Sequence, residues 1–221
     1  MYERPKRKRI PYGMMNFIDV RESNCYYVDK TVFIPIIEDA NKYFFYIRPR
    51  RFGKSLTISM LRHYYDVRDK SNFKKWYSGL YIGQHPTAER NSYLVIYLNF
   101  AVVNAELSSY RQSLDAHCGT EFDLFCEKYA DRLPADIQEK MHEKNGAVEQ
   151  LDFLYKRCAE CGQQIYLFID EYDHFTNKIL SEPACLNDYK SETHGTGYLR
   201  SFFDTVKSGT ESSIKRCFVT G

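Results

Sequence analysis

The chain has 221 residues, 43% of them hydrophobic and 27% charged, a balance that builds a packed core and excludes a disordered or fibrous chain. Its 31 Lys and Arg against 29 Asp and Glu leave a net charge of +2, so the total gives no argument for a nucleic-acid partner. The best apolar run is Tyr43-Phe44-Phe45-Tyr46-Ile47, far short of the roughly 20 residues that a membrane-spanning helix needs.

Seven cysteines, scattered from Cys25 to Cys217, and the lack of a leader-like N-terminal pattern predict free thiols in a reducing cytoplasm. Arg4 and Lys6-Arg7-Lys8-Arg9 make residues 1–27 a basic segment leading into the domain. It reads as a solvated tail, or as a salt-dependent contact with a DNA phosphate backbone.

From Asp29 to Asn41, Val32, Phe33, Ile36, Ile37 and Ala40 recur at helical spacing, with Pro35 among them. Tyr43–Ile47 predicts a strand buried on both faces, ended by Pro49. A loop and a helix from about Lys54 to Val67 follow. Tyr93–Phe100 predicts a second strand, and 105–161 a long helical stretch punctuated at Gly119, Pro134 and Gly146. Ile165–Ile169 is the third strand, Tyr198–Val206 a helix and Cys217–Val219 the fourth strand. Alternating strands and helices predict an α/β fold with a mostly parallel sheet covered on both faces, whose ligands bind beyond the carboxyl ends of the strands.

After the first strand, Arg48-Pro49-Arg50-Arg51-Phe52-Gly53-Lys54-Ser55 matches the P-loop pattern G-x-x-x-x-G-K-[ST] except at its first glycine, where Arg48 stands. Phosphates need inward-pointing backbone N–H groups, a helix N-terminus and an ammonium. Gly53 lets the backbone approach, Lys54 brings charge, and the Ser55 hydroxyl can reach a magnesium ion on the β- and γ-phosphates. Arg50 and Arg51, with Arg48, offer forked hydrogen bonds to phosphate oxygens or to a nucleic-acid or protein partner. Gly-Lys-Ser alone is a common tripeptide; its setting gives it weight.

The third strand runs into Asp170 and Glu171, the Walker B arrangement. Asp170 would hold magnesium through its water shell, and Glu171 would orient or deprotonate the attacking water, with Asp173 as a secondary candidate. In P-loop ATPases of the additional-strand class the fourth strand lies between the strands carrying these motifs. Thr220 at its end is a sensor candidate for the γ-phosphate or the water, or caps a turn.

The residues resemble the bacterial and archaeal AAA-ATPase-like proteins. The likeness rests on Tyr27-Val28-Asp29-Lys30-Thr31, on Arg48 through Leu56, on Gly79-Leu80-Tyr81-Ile82, on Ile169 through Asp173 and on Phe218-Val219-Thr220-Gly221. In that family an arginine-rich loop stands where the first glycine would be. The resemblance implies a P-loop NTPase three-layer sandwich over residues 28–221, with ATP and Mg2+ as ligands. Arg50, Arg51, Phe52, Gly53, Lys54, Ser55 and Leu56 would form its nucleotide loop. Similar proteins usually continue into further helices and a PD-(D/E)XK nuclease-like domain. A sheet ending after its fourth strand lacks the elements expected to cover it, so the domain is expected to be truncated at its C terminus.

The implied function is magnesium-dependent ATP hydrolysis that drives a conformational change in an effector domain or partner. The alternative is a nucleotide-binding switch, or a DNA- or protein-binding module, with little or no turnover. An oligomer is compatible with either. Cys158-Ala159-Glu160-Cys161 is a lone C-x-x-C outside a zinc-ribbon or thioredoxin-like setting, and His117-Cys118 with Cys126 fits core packing better than a metal site. Phe17 or Tyr27 is a candidate for stacking on adenine.

Overall fold

A computed structural model describes residues 7–49, 52–104, 107–174 and 197–221. The chain divides into two compact units, Met1–Asn41 with Pro49–Ser92 and Lys42–Arg48 with Tyr93–Gly221.

The first unit is helical. Asn16 caps α1 (Phe17–Glu22) by accepting a hydrogen bond from the Ile18 N–H. A 3-10 turn (Thr31–Phe33) leads into α2 (Ile34–Asp39), which starts later than its apolar spacing suggests. Pro35 therefore falls in the first turn, where its missing N–H costs nothing. The helix α3 (Lys54–Tyr65) is followed by a 3-10 segment (Val67–Asn72), α4 (Phe73–Tyr77) and α5 (Tyr81–Gln84). Phe17, Tyr64, Tyr65 and Tyr77 are fully buried in its core. The guanidinium of Arg21 donates to the carbonyls of Trp76 and Ser78, both at 2.6 Å, and so fastens α1 to the end of α4.

The second unit carries a four-stranded parallel sheet: β1 (Tyr43–Tyr46), β2 (Leu94–Asn99), β3 (Ile165–Asp170) and β4 (Ile214–Thr220), in the order β1-β4-β3-β2. Every residue of β3 is buried, as a central parallel strand requires. Phe44 and Phe168 flank Phe218 on β4, with ring centroids 5.4 and 5.9 Å from it. The strand β1 was expected to be buried on both faces, but its residues are half-buried or exposed and Phe45 is 54% exposed. It pairs only with β4 among the described strands, so it lies at the sheet edge.

The helices of this unit are α6 (Leu107–Lys128), α7 (Ile137–His142), α8 (Gly146–Glu160) and α9 (Tyr198–Thr210). Against α8 pack α6, α7 and α9, while α6 also meets β2 and α9 meets β4. Gly119 does not interrupt α6 as expected: Leu114, Cys118, Phe122, Phe125 and Tyr129 form a buried stripe that holds the helix through it. Gly146 does mark a start. It has φ of +72°, and a Cβ there would meet the Tyr198 hydroxyl at 2.7 Å and an Asp115 carboxylate oxygen at 2.8 Å.

No helix among the described residues is long and apolar enough to cross a membrane.

Candidate functional site

In the second unit β3 and β4 end side by side, because parallel pairing sets Ile169 against Val219 and leaves Asp170 and Thr220 as the next residues. Both side chains are sealed from solvent, Asp170 at 1% exposed and Thr220 at 0%. A buried carboxylate needs donors. The Thr220 hydroxyl donates to Asp170 Oδ1, the Glu171 N–H donates to the same oxygen at 3.0 Å, and the Tyr97 hydroxyl of β2 lies 3.4 Å from Oδ2. These partners are all neutral, so among the described residues the carboxylate charge has no cation paired with it. A hard, oxygen-seeking ion or its water shell suits such a donor set.

Glu171 follows directly and is half-buried, with φ of +52°, the left-handed region that a glutamate rarely adopts. The backbone is held there from both sides: the Glu171 N–H bonds Asp170, and the next N–H, that of Tyr172, donates to the Thr220 carbonyl at 2.9 Å. Backbone strain of this kind gathers at functional positions. Asp173 is half-buried in the turn after it.

In the first unit Gly53 is the N-cap of α3, with φ of +75° and ψ of 30°. Only glycine takes that conformation at no steric cost. Its carbonyl accepts the Thr57 N–H at 3.0 Å and the Thr57 hydroxyl at 2.9 Å, which pins the exit into the helix. Gly53 has no side chain with which to cap the N–H groups of the first turn, and a helix N-terminus suits an anion. Lys54 is the first helical residue and only 7% exposed; Ser55 and Leu56 follow, both half-buried. Phe52 is exposed. Arg50 and Arg51 lie outside the described residues. Arg48, at the position of the pattern's first glycine, belongs to the second unit and is exposed, with its guanidinium 5.6 Å from the ring of Tyr46 in that same unit.

Two segments that carry the family resemblance, residues 27–31 and 79–82, are joined by hydrogen bonds. Asp29 accepts hydrogen bonds from the Thr31 N–H at 2.9 Å, the Thr31 hydroxyl at 2.6 Å and the Tyr81 N–H at 2.7 Å. The Thr31 oxygen in turn accepts the Ile82 N–H at 3.1 Å. Asp29 and Thr31 thus cap α5 from about fifty residues away in sequence, and Lys30 between them donates to the Phe52 carbonyl at 3.2 Å. Short polar motifs at such spacing give no signal of pairing before the chain is folded.

The remaining candidates lie elsewhere. Phe17 is fully buried, with the rings of Tyr27 and Tyr77 at 5.2 and 5.1 Å, so it fills the core and is closed to a base. His117 accepts the Asn99 N–H at 3.2 Å, and burial lowers its pKa, as for a packing residue. Cys158 is buried on α8 and burial raises its thiol pKa, whereas Cys161 follows the helix end. The six described cysteines are free, and no cluster of three metal-ligating side chains occurs among the described residues.

A family model described as "Predicted AAA-ATPase" matches residues 11–221. A curated protein of Azotobacter chroococcum mcd 1, described as an uncharacterized protein in the vnfD 5' region, is 45% identical over 56 residues. The match takes in 25% of this chain and 11% of that protein. No solved structure matches.

Proposed function

The chain belongs to the AAA-ATPase-like family, and from that membership we propose that it binds ATP and hydrolyses it with magnesium, as an additional-strand P-loop domain of the cytoplasm. The observation that carries the reading is the buried Asp170 at the carboxyl end of β3, hydrogen-bonded by Thr220 from β4, a strand that lies between β1 and β3. That order supports the additional-strand class. The left-handed Gly53 at the start of α3 supports the phosphate loop.

In this reading the loop from Arg50 to Leu56 cradles the phosphates, with Lys54 as the ammonium that follows charge onto the γ-phosphate. The Ser55 hydroxyl and, through water, Asp170 would hold magnesium, which would supply charge neutralisation on the phosphate oxygens. Glu171 takes the proton of the attacking water or orients it. Thr220 acts on Asp170 first, by fixing the rotamer of the carboxylate. Turnover would move an effector domain or partner protein, such as a nuclease-like one.

Titrating the chain calorimetrically with a non-hydrolysable ATP analogue, beside a phosphate-release assay, tests the proposal. Binding with release supports an ATPase, and binding without release supports a nucleotide-dependent switch. Failure to bind removes both.

A further inference from the structure

We propose that Lys30 is a second cation of the phosphate grip: it tethers the loop through the Phe52 carbonyl and gives its remaining N–H groups to the nucleotide's phosphate oxygens. The inference rests on the nucleotide reading above and adds to it a residue outside the P-loop pattern.

The backbone on either side of Lys30 is anchored, because Asp29 and Thr31 are engaged with each other and with the start of α5. From that base the ammonium reaches the loop, donating to Phe52 O at 3.2 Å and standing 3.1 Å from where a Cβ on Gly53 would lie. It therefore sits against the two residues that precede Lys54. An ammonium has three N–H donors. Among the described residues Lys30 spends one, on a neutral carbonyl, and has no ion pair. The carboxylate of the adjacent Asp29 is turned to other groups, accepting hydrogen bonds from the Thr31 N–H, the Thr31 hydroxyl and the Tyr81 N–H. A half-buried cation with donors to spare thus stands beside the N-terminus of a 12-residue helix. Positive charge of both kinds concentrates there, and the ligand chemistry that fits is a polyanionic phosphate chain rather than a single carboxylate. The contact also anchors Phe52, in a pattern that has Arg48 in place of its first glycine.

Tethering and phosphate binding are separated by Lys30→Gln, which keeps a donor for Phe52 O and loses the charge. Calorimetric titration of the 221-residue chain with MgATP and MgADP should give about tenfold weaker ATP binding for Lys30→Gln, equivalent to about 1.4 kcal/mol. The parent's affinity should fall more steeply with salt than the variant's, since one cation–phosphate contact is lost. Lys30→Arg should stay near the parent, and Lys30→Ala should match Lys30→Gln or fall below it. The inference is overturned if Lys30→Gln binds ATP as the parent does, with the same salt dependence. That comparison decides even if Lys30→Ala fails to fold. A parent that binds no ATP overturns the nucleotide reading and this inference with it; a parent that binds, beside an unaffected Lys30→Gln, overturns this inference alone.

Discussion

Thr220, the last residue of β4, donates its hydroxyl hydrogen to the carboxylate of Asp170, the last residue of β3, and neither side chain reaches solvent. The charge on Asp170 is therefore stabilised by a neighbouring strand. Thr220→Val keeps the volume and removes the donor. It should cost about 1–3 kcal/mol, the range for leaving a buried polar group short of a partner. Urea denaturation of the two chains measures this, and Thr220→Ser should recover most of the loss. An unchanged midpoint for Thr220→Val would mean that the hydroxyl contributes nothing to Asp170.

Glu171 combines an unfavourable backbone angle with a chemical role, and the two respond oppositely to substitution. Glu171→Gly relieves the φ of +52°, which should leave stability unchanged or raise it by about 0.5–1 kcal/mol despite the added freedom of glycine. Phosphate release should nevertheless fall by at least about a hundredfold, the usual scale for a lost general base. Glu171→Gln should bind the ATP analogue normally and share that loss. Lys54→Ala should lose binding itself. If Glu171→Gln and Lys54→Ala hydrolyse ATP at the parent rate, neither residue has its assigned role.

The loop makes a separate demand at Gly53. With φ of +75° and Lys30 Nζ only 3.1 Å from a built Cβ, Gly53→Ala forces either the backbone or the ammonium to move. A left-handed residue with a side chain costs roughly 1–2 kcal/mol, so a small loss of stability should accompany a larger loss of ATP affinity. Comparison with Gly79→Ala, which has the same φ and nothing within 4 Å of its Cβ, isolates the contribution of the crowding. Equal effects on binding in the two variants would show that Gly53 matters only as a flexible residue.

Much of this was legible in the sequence, for a physical reason. The strands β2 and β3 are apolar runs of only six residues, rich in β-branched and aromatic side chains, and that shortness and composition mark them as strands rather than buried helices. Gly53, Lys54, Asp170 and Glu171 stand out because phosphate and magnesium chemistry demands those residue types where strands end. The start of β4 was hidden: Lys215 and Arg216 break the apolar run with charge, although Ile214 is buried. The short helices α1, α4 and α5 were also missed, since four to six residues hold too few turns to show a period. The links from Lys30 to Phe52 and from Asp29 to Tyr81 depend on packing of the first unit, which no local pattern encodes.

Buried thiols supply a prediction about pH. Cys217 on β4 is 1% exposed, and burial pushes its pKa from 9.0 up to about 12. Burial raises Cys118 and Cys158 as well. In the unfolded chain the Cys217 thiol releases its proton near pH 9.0, while the folded chain keeps it until about pH 12. Over that window the folded state binds one more proton than the unfolded state, so stability is intact below pH 9.0 and falls as pH rises. The slope is about 1.4 kcal/mol per pH unit for each such thiol. Cys217→Ala removes one thiol and leaves every other titratable group in place in both proteins. Its loss of stability at pH 8 should shrink relative to the parent as the buffer approaches pH 10.5, when urea midpoints are compared at steps of about half a unit. Parallel curves for the two chains would mean that the Cys217 proton is not held by the fold.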